Sequence, residues 1–258
     1  MPKTALITGA SSGIGLELAK LFARDKIDLV LVARSAEKLN EIAHDLSAQY
    51  GITATVIVSD LSQPDAATEL FRETQTRRLT IDYLVNNAGF GILDKFLNTD
   101  LNRELDMIQL HVATTTTLTK FYAAEMAAQG GGRILNVAST AAFQPGPWMA
   151  VYYATKAYIL SYSEAANEAL KGSGVTVTCL CPGPTPTNFQ VRAKNRKKGI
   201  LRHVKTSVEY VARRGYTAMH RGKPLVIPGI LNQIGVFAVR LLPRSVVTFL
   251  SRKAAEKS

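Results

Sequence analysis

The sequence is poor in the residues that build disulfide frameworks and metal sites. Among its 258 residues there are two cysteines and four histidines. Cys179 and Cys181 alternate along one apparent strand, so they point to the same face and lie too close together for an easy disulfide. Because no cluster of histidines or cysteines surrounds them, they indicate buried small side chains and no metal site. A reducing compartment is consistent with this pattern.

The sequence also lacks long apolar runs and breaks in composition. No uninterrupted stretch of 18 apolar residues is present, which argues against a membrane-spanning helix. Met1–Thr8 leads directly into a strand pattern without the apolar core of a signal peptide, so we expect a cytoplasmic protein. No repeat, low-complexity segment or Gly/Ser/Pro-rich linker divides the chain, and we predict a single domain over residues 1–258.

Acidic residues are in short supply. The chain has 20 acidic against 31 basic residues, and its formal net charge is +11. Such a surface suits anionic cofactors, anionic substrates, acidic lipid or nucleic acid. No nucleic-acid motif and no interleaving of aromatic with basic residues accompanies the charge, so we do not predict nucleic acid as a partner.

What is present is a regular alternation of strand-like and helix-like segments. With hydrophobic residues at 47%, the chain can build a sizeable core. Strand patterns cover Thr4–Thr8, Asp28–Ala33, Thr53–Val58, Ile81–Val85, Arg133–Ala138, Val175–Leu180 and Pro224–Ile227. Helix patterns cover Ile14–Arg24, Glu37–Gln49, Pro64–Thr76, Arg103–Gln129 and Val151–Lys171. This order predicts an α/β fold, a doubly wound parallel sheet of about seven strands with helices on both faces.

A glycine-rich turn, Thr8–Gly15, joins the first strand to the first helix. Gly9 permits a tight turn, while Gly13 and Gly15 let the backbone approach a pyrophosphate and let helix pack on strand. The helix start then offers free N–H groups to the anion. A plain glycine turn is the alternative, but the place in a βαβ unit favours a dinucleotide site. Its predicted contacts are Gly9, Ser11, Ser12, Gly13, Ile14 and Gly15.

The end of the second strand indicates which dinucleotide binds. An acidic residue there would hold ribose hydroxyls and repel a 2′-phosphate. This chain instead has Arg34 and Ser35, a planar cation and a hydroxyl suited to phosphate. A solvated surface arginine is the alternative, but the absence of any acidic residue between Val32 and Ala36 favours NADP(H). After the third strand, Asp60-Leu61 could contact the adenine edge through Asp60.

Ser139, Tyr152 and Lys156 form a candidate catalytic set. Tyr152 and Lys156 stand four residues apart in a helix pattern, so they share one face. An ammonium beside a phenol favours the phenolate and is expected to lower the pKa of Tyr152. The serine hydroxyl could hold the oxygen that exchanges the proton. Alone, this helical pair would occur often by chance.

Together these motifs closely resemble the short-chain dehydrogenase/reductase family over essentially the whole chain. The matching motifs are Thr8–Gly15, Asn86–Gly89, Ser139 with Tyr152 and Lys156, and Pro182-Gly183. The resemblance implies a Rossmann fold, a nicotinamide cofactor and the interconversion of carbonyls and alcohols. It further implies cofactor contacts from Asn87, Ala88 and Gly89 near the adenosine ribose, and from Pro182, Gly183, Thr185 and Thr187 near the nicotinamide.

The family mechanism is carried over to three residues. Tyr152 would donate a proton to the carbonyl oxygen, or accept one in the reverse direction. Lys156 would lower the pKa of Tyr152 and bind the nicotinamide ribose, and Ser139 would orient the carbonyl. Tyr153 is a rival phenol, but no lysine stands four residues after it. The resemblance also implies a homodimer or homotetramer formed through the helices Arg103–Gln129 and Val151–Lys171.

His111 departs from the family pattern. It stands where the family often has an asparagine that places a water behind the lysine. An imidazole could hold that water or transfer protons itself. Alternatively, it could be a core histidine that is satisfied at a helix kink, and the sequence does not choose between these roles. Asn102, near the start of the same helix, resembles a capping residue.

Two groups of residues could contact a substrate: a basic segment and a set of apolar side chains. Residues 188–222 are predicted to form a substrate lid, and their first half is rich in lysine and arginine. Such a lid would suit a phosphate-bearing thioester carrier, although a solvated loop is the interpretation we favour. Four residues could form an apolar pocket beside Tyr152 or be ordinary packing: Phe143, Trp148, Met149 and Phe189.

The C-terminal segment, residues 228–258, is apolar and punctuated by basic residues. Packing at a subunit interface or over the substrate mouth is the interpretation we favour. Peripheral contact with an acidic membrane surface is the alternative.

The sequence therefore predicts an NADP(H)-dependent oxidoreductase acting on a hydrophobic substrate. A ketone, a hydroxysteroid-like molecule or a 3-oxoacyl thioester fits that description. The alternative from another class is an NADP-binding regulatory or scaffold protein with weak catalysis. His111 is the only feature that favours it, and the Ser–Tyr–Lys set argues against it.

Overall fold

The computed structural model describes residues 2–186 and 206–256. Seven strands form one parallel sheet: β1 Thr4–Thr8, β2 Asp28–Ala33, β3 Ala54–Val58, β4 Tyr83–Asn86, β5 Gly132–Val137, β6 Val175–Leu180 and β7 Leu225–Val226. Their order across the sheet is β3-β2-β1-β4-β5-β6-β7. The predicted fold class, a doubly wound parallel sheet of about seven strands, is confirmed.

Nine α-helices connect and flank these strands within the described residues. They are α1 Gly13–Arg24, α2 Ala36–Tyr50, α3 Ala66–Thr76, α4 Leu101–Ile108, α5 Thr115–Ala128, α6 Ala150–Ala169, α7 Val208–His220, α8 Ile230–Leu241 and α9 Arg244–Glu256. Three short 3-10 helices complete the list: Phe96–Asn98, Thr140–Phe143 and Pro147–Met149.

The sheet is buried on both faces. The inner residues of β1 and β2 are almost completely shielded from solvent, as their continuous apolar runs predict. On one face the strands pack against α1, α2 and α7, whose core side chains include Phe22 and Tyr216. On the other face they pack against α3 and α5, whose core side chains include Leu70 and Tyr122. The strand order reverses between β1 and β4, and ligands of such sheets bind outside the carboxyl ends of the strands at that point.

The long helix predicted over Arg103–Gln129 is interrupted. Between α4 and α5 the backbone adopts a π-helical segment, Gln109–Thr114, which contains His111. A π-segment adds a residue to the turn and shifts the direction of the side chains, and such segments are frequent at functional sites. The helix also begins earlier than predicted, and Asp100 rather than Asn102 is its capping residue. The Asp100 side chain accepts a hydrogen bond from the backbone N–H of Asn102 at 2.8 Å.

The two cysteines are buried side by side, as predicted. Their Sγ atoms are 3.7 Å apart, and both are free thiols. The C-terminal segment forms two helices, α8 and α9.

Candidate active site

A cavity of about 870 Å³ lies at the carboxyl edge of the sheet, lined by the segments that follow β1 to β6 and by α8. It brings together most of the residues predicted from sequence. These are Gly9, Ser11, Ser12, Gly13, Ile14, Arg34, Ser35, Asp60, Leu61, Asn87, Ala88, Gly89, Ser139, Tyr152, Lys156, Pro182, Gly183 and Thr185. Gly15 and His111 do not line it. Thr187 and most of the predicted lid, residues 187–205, lie outside the described residues.

The glycine turn is a tightly packed cradle. Gly9 has φ of 66° and Gly13 has φ of 59°, backbone conformations that favour glycine. A Cβ atom on Gly15 would collide with the carbonyl oxygen of Gly9. The side chain of Asn87 braces the turn, because its Nδ2 donates to the carbonyl oxygens of Thr8 at 3.0 Å and of Gly9 at 3.2 Å.

The first helix starts at this cradle without a side-chain cap. Ser12 is the N-cap residue in an extended conformation, and its hydroxyl makes no capping hydrogen bond. The N–H groups of the first turn of any helix have no partner within the helix. Together with the positive end of the helix dipole they suit a pyrophosphate, so this part of the cavity fits a dinucleotide.

Arg34 and Asp60 face each other at the end of β2 and β3. Nη1 of Arg34 lies 3.7 Å from Oδ2 of Asp60. The other carboxylate oxygen accepts hydrogen bonds from Ser62, from its N–H at 3.1 Å and its hydroxyl at 2.7 Å. Burial acts to raise the pKa of Asp60, but the Ser62 hydrogen bonds and the Arg34 charge outweigh it and lower that pKa. Ser35, the N-cap residue of α2, makes no capping hydrogen bond with its side chain.

Ser139, Tyr152 and Lys156 converge as predicted. The hydroxyl of Ser139 accepts a hydrogen bond from the N–H of Ala141 at 3.1 Å, which orients it at the start of a 3-10 helix. Lys156 is buried, and its Nζ donates to the carbonyl oxygen of Val137 at 2.9 Å. The same Nζ lies 5.7 Å from the centroid of the Tyr152 ring. The i, i+4 spacing on α6 therefore places the ammonium against the phenol ring.

The pKa of Tyr152 is shifted opposite to the predicted direction. Burial raises it to about 12, and a hydrogen bond with Ser139 only partly opposes that shift. Burial also lowers the pKa of Lys156 to about 8. Removing water disfavours both the phenolate and the ammonium. Because the net shift is upward, the phenol keeps its proton near neutral pH.

His111 is buried behind the cavity and bonded at both ring nitrogens. Nε2 accepts a hydrogen bond from the backbone N–H of Phe90 at 3.2 Å, so the proton of the neutral ring is on Nδ1. Nδ1 lies 2.9 Å from Oγ1 of Thr155, which donates to the carbonyl oxygen of Tyr152 at 2.9 Å. Burial, and secondarily the charge of Lys156, lower the pKa of His111 well below its usual value. Between the two sequence interpretations, this geometry favours the core histidine at a helix kink.

A buried polar network supports the site from below. Nδ2 of Asn86 donates to Oδ1 of Asn136 at 2.8 Å and to Oγ1 of Thr119 at 3.0 Å. Asn136 in turn donates to Oγ of Ser163 at 3.0 Å. The network joins β4, β5, α5 and α6, so the strand that precedes Ser139 is fixed relative to the helix that carries Tyr152 and Lys156.

Several residues of the site were not predicted from the sequence. Gln144, Tyr153 and three residues of α8, Leu231, Val236 and Val239, also line the cavity. Of the predicted apolar pocket, Phe143 and Met149 line it, Trp148 does not, and Phe189 lies outside the described residues. Asn232 packs directly against Gly183 and donates to the carbonyl oxygen of Pro228 at 2.7 Å. An asparagine beside Gln233 in an otherwise apolar segment was the only sequence signal for this contact.

Comparison with known proteins gives a consistent result. The family model described as short chain dehydrogenase matches residues 3–198. Ketoacyl reductase HetN from Nostoc sp. is 32% identical over 181 residues, which are 70% of this chain and 63% of that protein. This chain thus spans less than two thirds of the length of that relative.

Solved structures are similar over nearly the whole chain. One is a structure from work on the stereoselectivity of 7beta-hydroxysteroid dehydrogenase. It aligns with a TM-score of 0.87 at 27% identity, and the alignment covers 96% of each chain. A short-chain dehydrogenase from Sphingobium yanoikuyae in complex with NADPH has a TM-score of 0.82 at 30% identity, covering 93% of this chain and 94% of that one.

Proposed function

The chain belongs to the short-chain dehydrogenase family of oxidoreductases, and we propose that it uses NADP(H) to interconvert a carbonyl and a secondary alcohol on a hydrophobic substrate. One observation carries the proposal. Ser139, Tyr152 and Lys156 line the same cavity as the glycine turn and Arg34. A proton donor and a dinucleotide cradle therefore share one space at the reversal point of the sheet.

The residues at the adenosine end fit NADP(H). The glycine turn and the start of α1 would hold the pyrophosphate, and Arg34 with Ser35 would hold the 2′-phosphate. The two hydroxyls at the starts of α1 and α2, Ser12 and Ser35, cap no backbone N–H and can bond to a ligand. When bound, NADPH would supply the hydride. The NADPH-bound relative from Sphingobium yanoikuyae supports this assignment.

Tyr152 acts as the proton donor in this proposal. With a pKa of about 12 the phenol is protonated near neutral pH, which is the form needed to protonate a carbonyl oxygen during reduction. The Ser139 hydroxyl, within hydrogen-bonding reach of the phenol, orients the same oxygen. The Lys156 ammonium lies against the phenol ring and would bind ribose hydroxyls, and it stabilises negative charge that develops on Tyr152.

His111 is proposed as a positioning residue rather than a proton relay. Its ring joins the backbone of Phe90, beside the cavity, to Thr155 on α6. Thr155 stands between Tyr152 and Lys156 and bonds to the Tyr152 backbone. A displacement of the ring would therefore change the position of the proton donor.

The cavity walls favour a hydrophobic substrate. They include Phe143, Met149, Leu231, Val236 and Val239, with Gln144 and Tyr153 as polar groups. The relatives named above act, by their descriptions, on ketoacyl and hydroxysteroid compounds. A 3-oxoacyl thioester and a ketosteroid are therefore the first substrates to test.

We also propose that the protein forms a homodimer or homotetramer. Support comes from exposed apolar side chains on the two helices expected at the interface, Leu101, Leu105 and Ile108 on α4 and Tyr158 on α6. Such side chains are usually covered in a folded protein when they form a contiguous patch.

The test is a turnover assay of the purified full chain with NADPH or NADH. The panel would contain bulky ketones, 3-ketosteroids and 7-ketosteroids, and 3-oxoacyl thioesters. We expect NADPH oxidation with at least one hydrophobic carbonyl compound and a preference for NADPH over NADH. Tight NADPH binding with no turnover over the panel would instead favour the scaffold alternative.

A further inference from the structure

Helix α8 presents apolar residues on two opposite sides. On its inner side, Val236 is 8% exposed and lines the cavity together with Val239; Leu231 also lines the cavity but is 58% exposed. Its outer side carries Ile230, Ile234, Phe237 and Leu241, spaced at i, i+4, i+7 and i+11. This spacing places the four outer residues on one face of a helix. Packing over the substrate mouth, one of the roles predicted for residues 228–258, therefore explains only the inner side of α8.

The outer side is open to solvent. Ile234 is 57% exposed, Phe237 62% and Leu241 71%. Beyond the turn at Pro243, α9 adds the exposed side chains of Phe249 and Leu250. Single exposed apolar residues need no explanation, but a row of them on consecutive helices marks an interaction surface. We call these residues of α8 and α9 the outer apolar face.

The charged residues of this segment are almost all basic. Between residues 228 and 258 there are five basic residues and one acidic residue, Glu256. Arg240 and Arg244 flank the turn between the two helices, and both are exposed. Nζ of Lys253 lies 4.7 Å from the centroid of the Phe249 ring, so the cation sits directly on the apolar surface.

We propose that the outer apolar face binds the surface of an anionic phospholipid membrane. Apolar side chains bordered by arginine and lysine are the pattern of helices that lie in the membrane interface. No helix within residues 2–186 and 206–256 is long and apolar enough to cross a bilayer, so α8 and α9 would lie in its plane. A net charge of +11 adds long-range attraction to anionic lipid.

A second copy of the chain suits the face less well. In a two-fold dimer both copies use the same patch, so a dimer formed through this face would bring two sets of basic residues into one interface. Like charges brought together at an interface are unfavourable, whereas lipid phosphates neutralise them.

The position of α8 links this surface to the cavity. Its residues Val236 and Val239 line the cavity, while Ile234 and Phe237 on the same helix face outward. If the proposed reaction is correct, a substrate dissolved in the membrane would meet the active site across a single helix. Membrane binding itself does not depend on that reaction.

The experiment is flotation of the full-length protein with two kinds of vesicle, pure phosphatidylcholine and phosphatidylcholine with 30% phosphatidylglycerol. We expect flotation with the anionic vesicles, reduced at least tenfold in apparent affinity by Ile234→Ser with Phe237→Ser. Arg240→Gln with Arg244→Gln should also weaken binding about tenfold, as should 0.5 M salt. These four residues are exposed, so the variants should fold, which circular dichroism and NADPH binding would check.

The matched control is Arg72→Gln with Arg78→Gln, which removes the same charge from exposed positions at α3. It should leave flotation within about twofold of the wild type. The proposal would be overturned if the protein floated with neither kind of vesicle. It would also be overturned if Ile234→Ser with Phe237→Ser left flotation unchanged. Loss of a dimer in that variant on size-exclusion chromatography, without any lipid binding by the wild type, would assign the face to self-association instead.

Discussion

Nδ1 of His111 lies 2.9 Å from Oγ1 of Thr155, and this contact ties the π-segment of the interrupted helix to the helix that carries Tyr152 and Lys156. Nε2 of the same ring accepts the N–H of Phe90 at 3.2 Å. A Cβ atom at position 89 would lie 2.7 Å from Nε2, so Gly89 is needed to admit the ring. The site thus depends on one imidazole that does not reach the cavity.

Replacing His111 should change turnover more than cofactor affinity. We expect His111→Leu to lower kcat about tenfold or more with little change in the KM for NADPH, because Thr155 and the N–H of Phe90 lose their partner. His111→Asn can restore one hydrogen bond and should recover part of kcat. Steady-state kinetics would check this, with thermal unfolding beside it. A variant with lower stability but unchanged kcat would show that His111 is needed only for packing.

The same histidine should make the fold sensitive to acid. The pKa of His111 is well below 6.5 in the folded protein, whereas the unfolded chain takes up the proton near 6.5. As the pH falls below about 6.5, the unfolded state therefore binds more protons and stability is lost. We expect the Tm of the wild type to fall between pH 7 and pH 5 by more than that of His111→Asn. Equal decreases in the two proteins would contradict this prediction.

Lys156 should have the corresponding effect at alkaline pH. Its pKa is about 8 in the folded protein against 10.5 as the ordinary value, so between these limits the unfolded chain binds more protons. Stability from this group therefore rises with pH from about 8 to 10. We expect the Tm of the wild type, measured relative to Lys156→Met, to increase over this range. A constant difference between pH 7 and pH 10 would show that the ammonium is not strained by burial.

Tyr152→Phe tests the proton donor against its neighbour. Removing the phenol should lower kcat about a hundredfold or more, the usual size of a general acid contribution, with NADPH binding retained. Tyr153→Phe is the matched control, because this phenol also lines the cavity and its ring centroid lies 6.1 Å from that of Tyr152. Tyr153→Phe should lower kcat clearly less than Tyr152→Phe does. Turnover near the wild-type level in Tyr152→Phe would refute the assignment.

The fold and most of the cavity could be predicted because they depend on local patterns. Continuous apolar runs such as Asp28–Ala33 are typical of strands buried on both faces, and the glycines of Thr8–Gly15 permit a turn that few other residues allow. The end of each parallel strand then lies at one edge of the sheet. Residues that follow those strands were therefore correctly placed together.

Other features depend on distant contacts and could not be predicted. The π-segment around His111 forms where Phe90 and Thr155 hold both ring nitrogens, and neither partner is adjacent in sequence. The pKa of Tyr152 depends on how completely the folded chain excludes water from the phenol. The spacing between Tyr152 and Lys156 in the sequence carries no information about that burial. Likewise, the composition of α8 indicates an apolar helix but not which side remains exposed.

Arg34 should set the preference between the two nicotinamide dinucleotides. Its guanidinium is largely exposed and 3.7 Å from Asp60, so it is held at the cavity by a partner rather than by packing. We expect Arg34→Asp to weaken NADPH binding at least tenfold, because a charge-assisted bond to phosphate is replaced by repulsion. NADH has no 2′-phosphate, and its binding should change little.

Asp60 provides the complementary test. Since its carboxylate competes with a phosphate for Arg34, while an asparagine could still hydrogen-bond to the adenine edge, Asp60→Asn should leave the guanidinium more available and tighten NADPH binding severalfold. The control for Arg34→Asp is Arg72→Asp, which makes the same change of charge at an exposed position on α3 away from the cavity lining. Titration of each variant with NADPH and NADH by fluorescence would measure both dissociation constants. If Arg34→Asp and Arg72→Asp affect NADPH equally, the arginine acts only through the net charge of the protein, and cofactor preference has another origin.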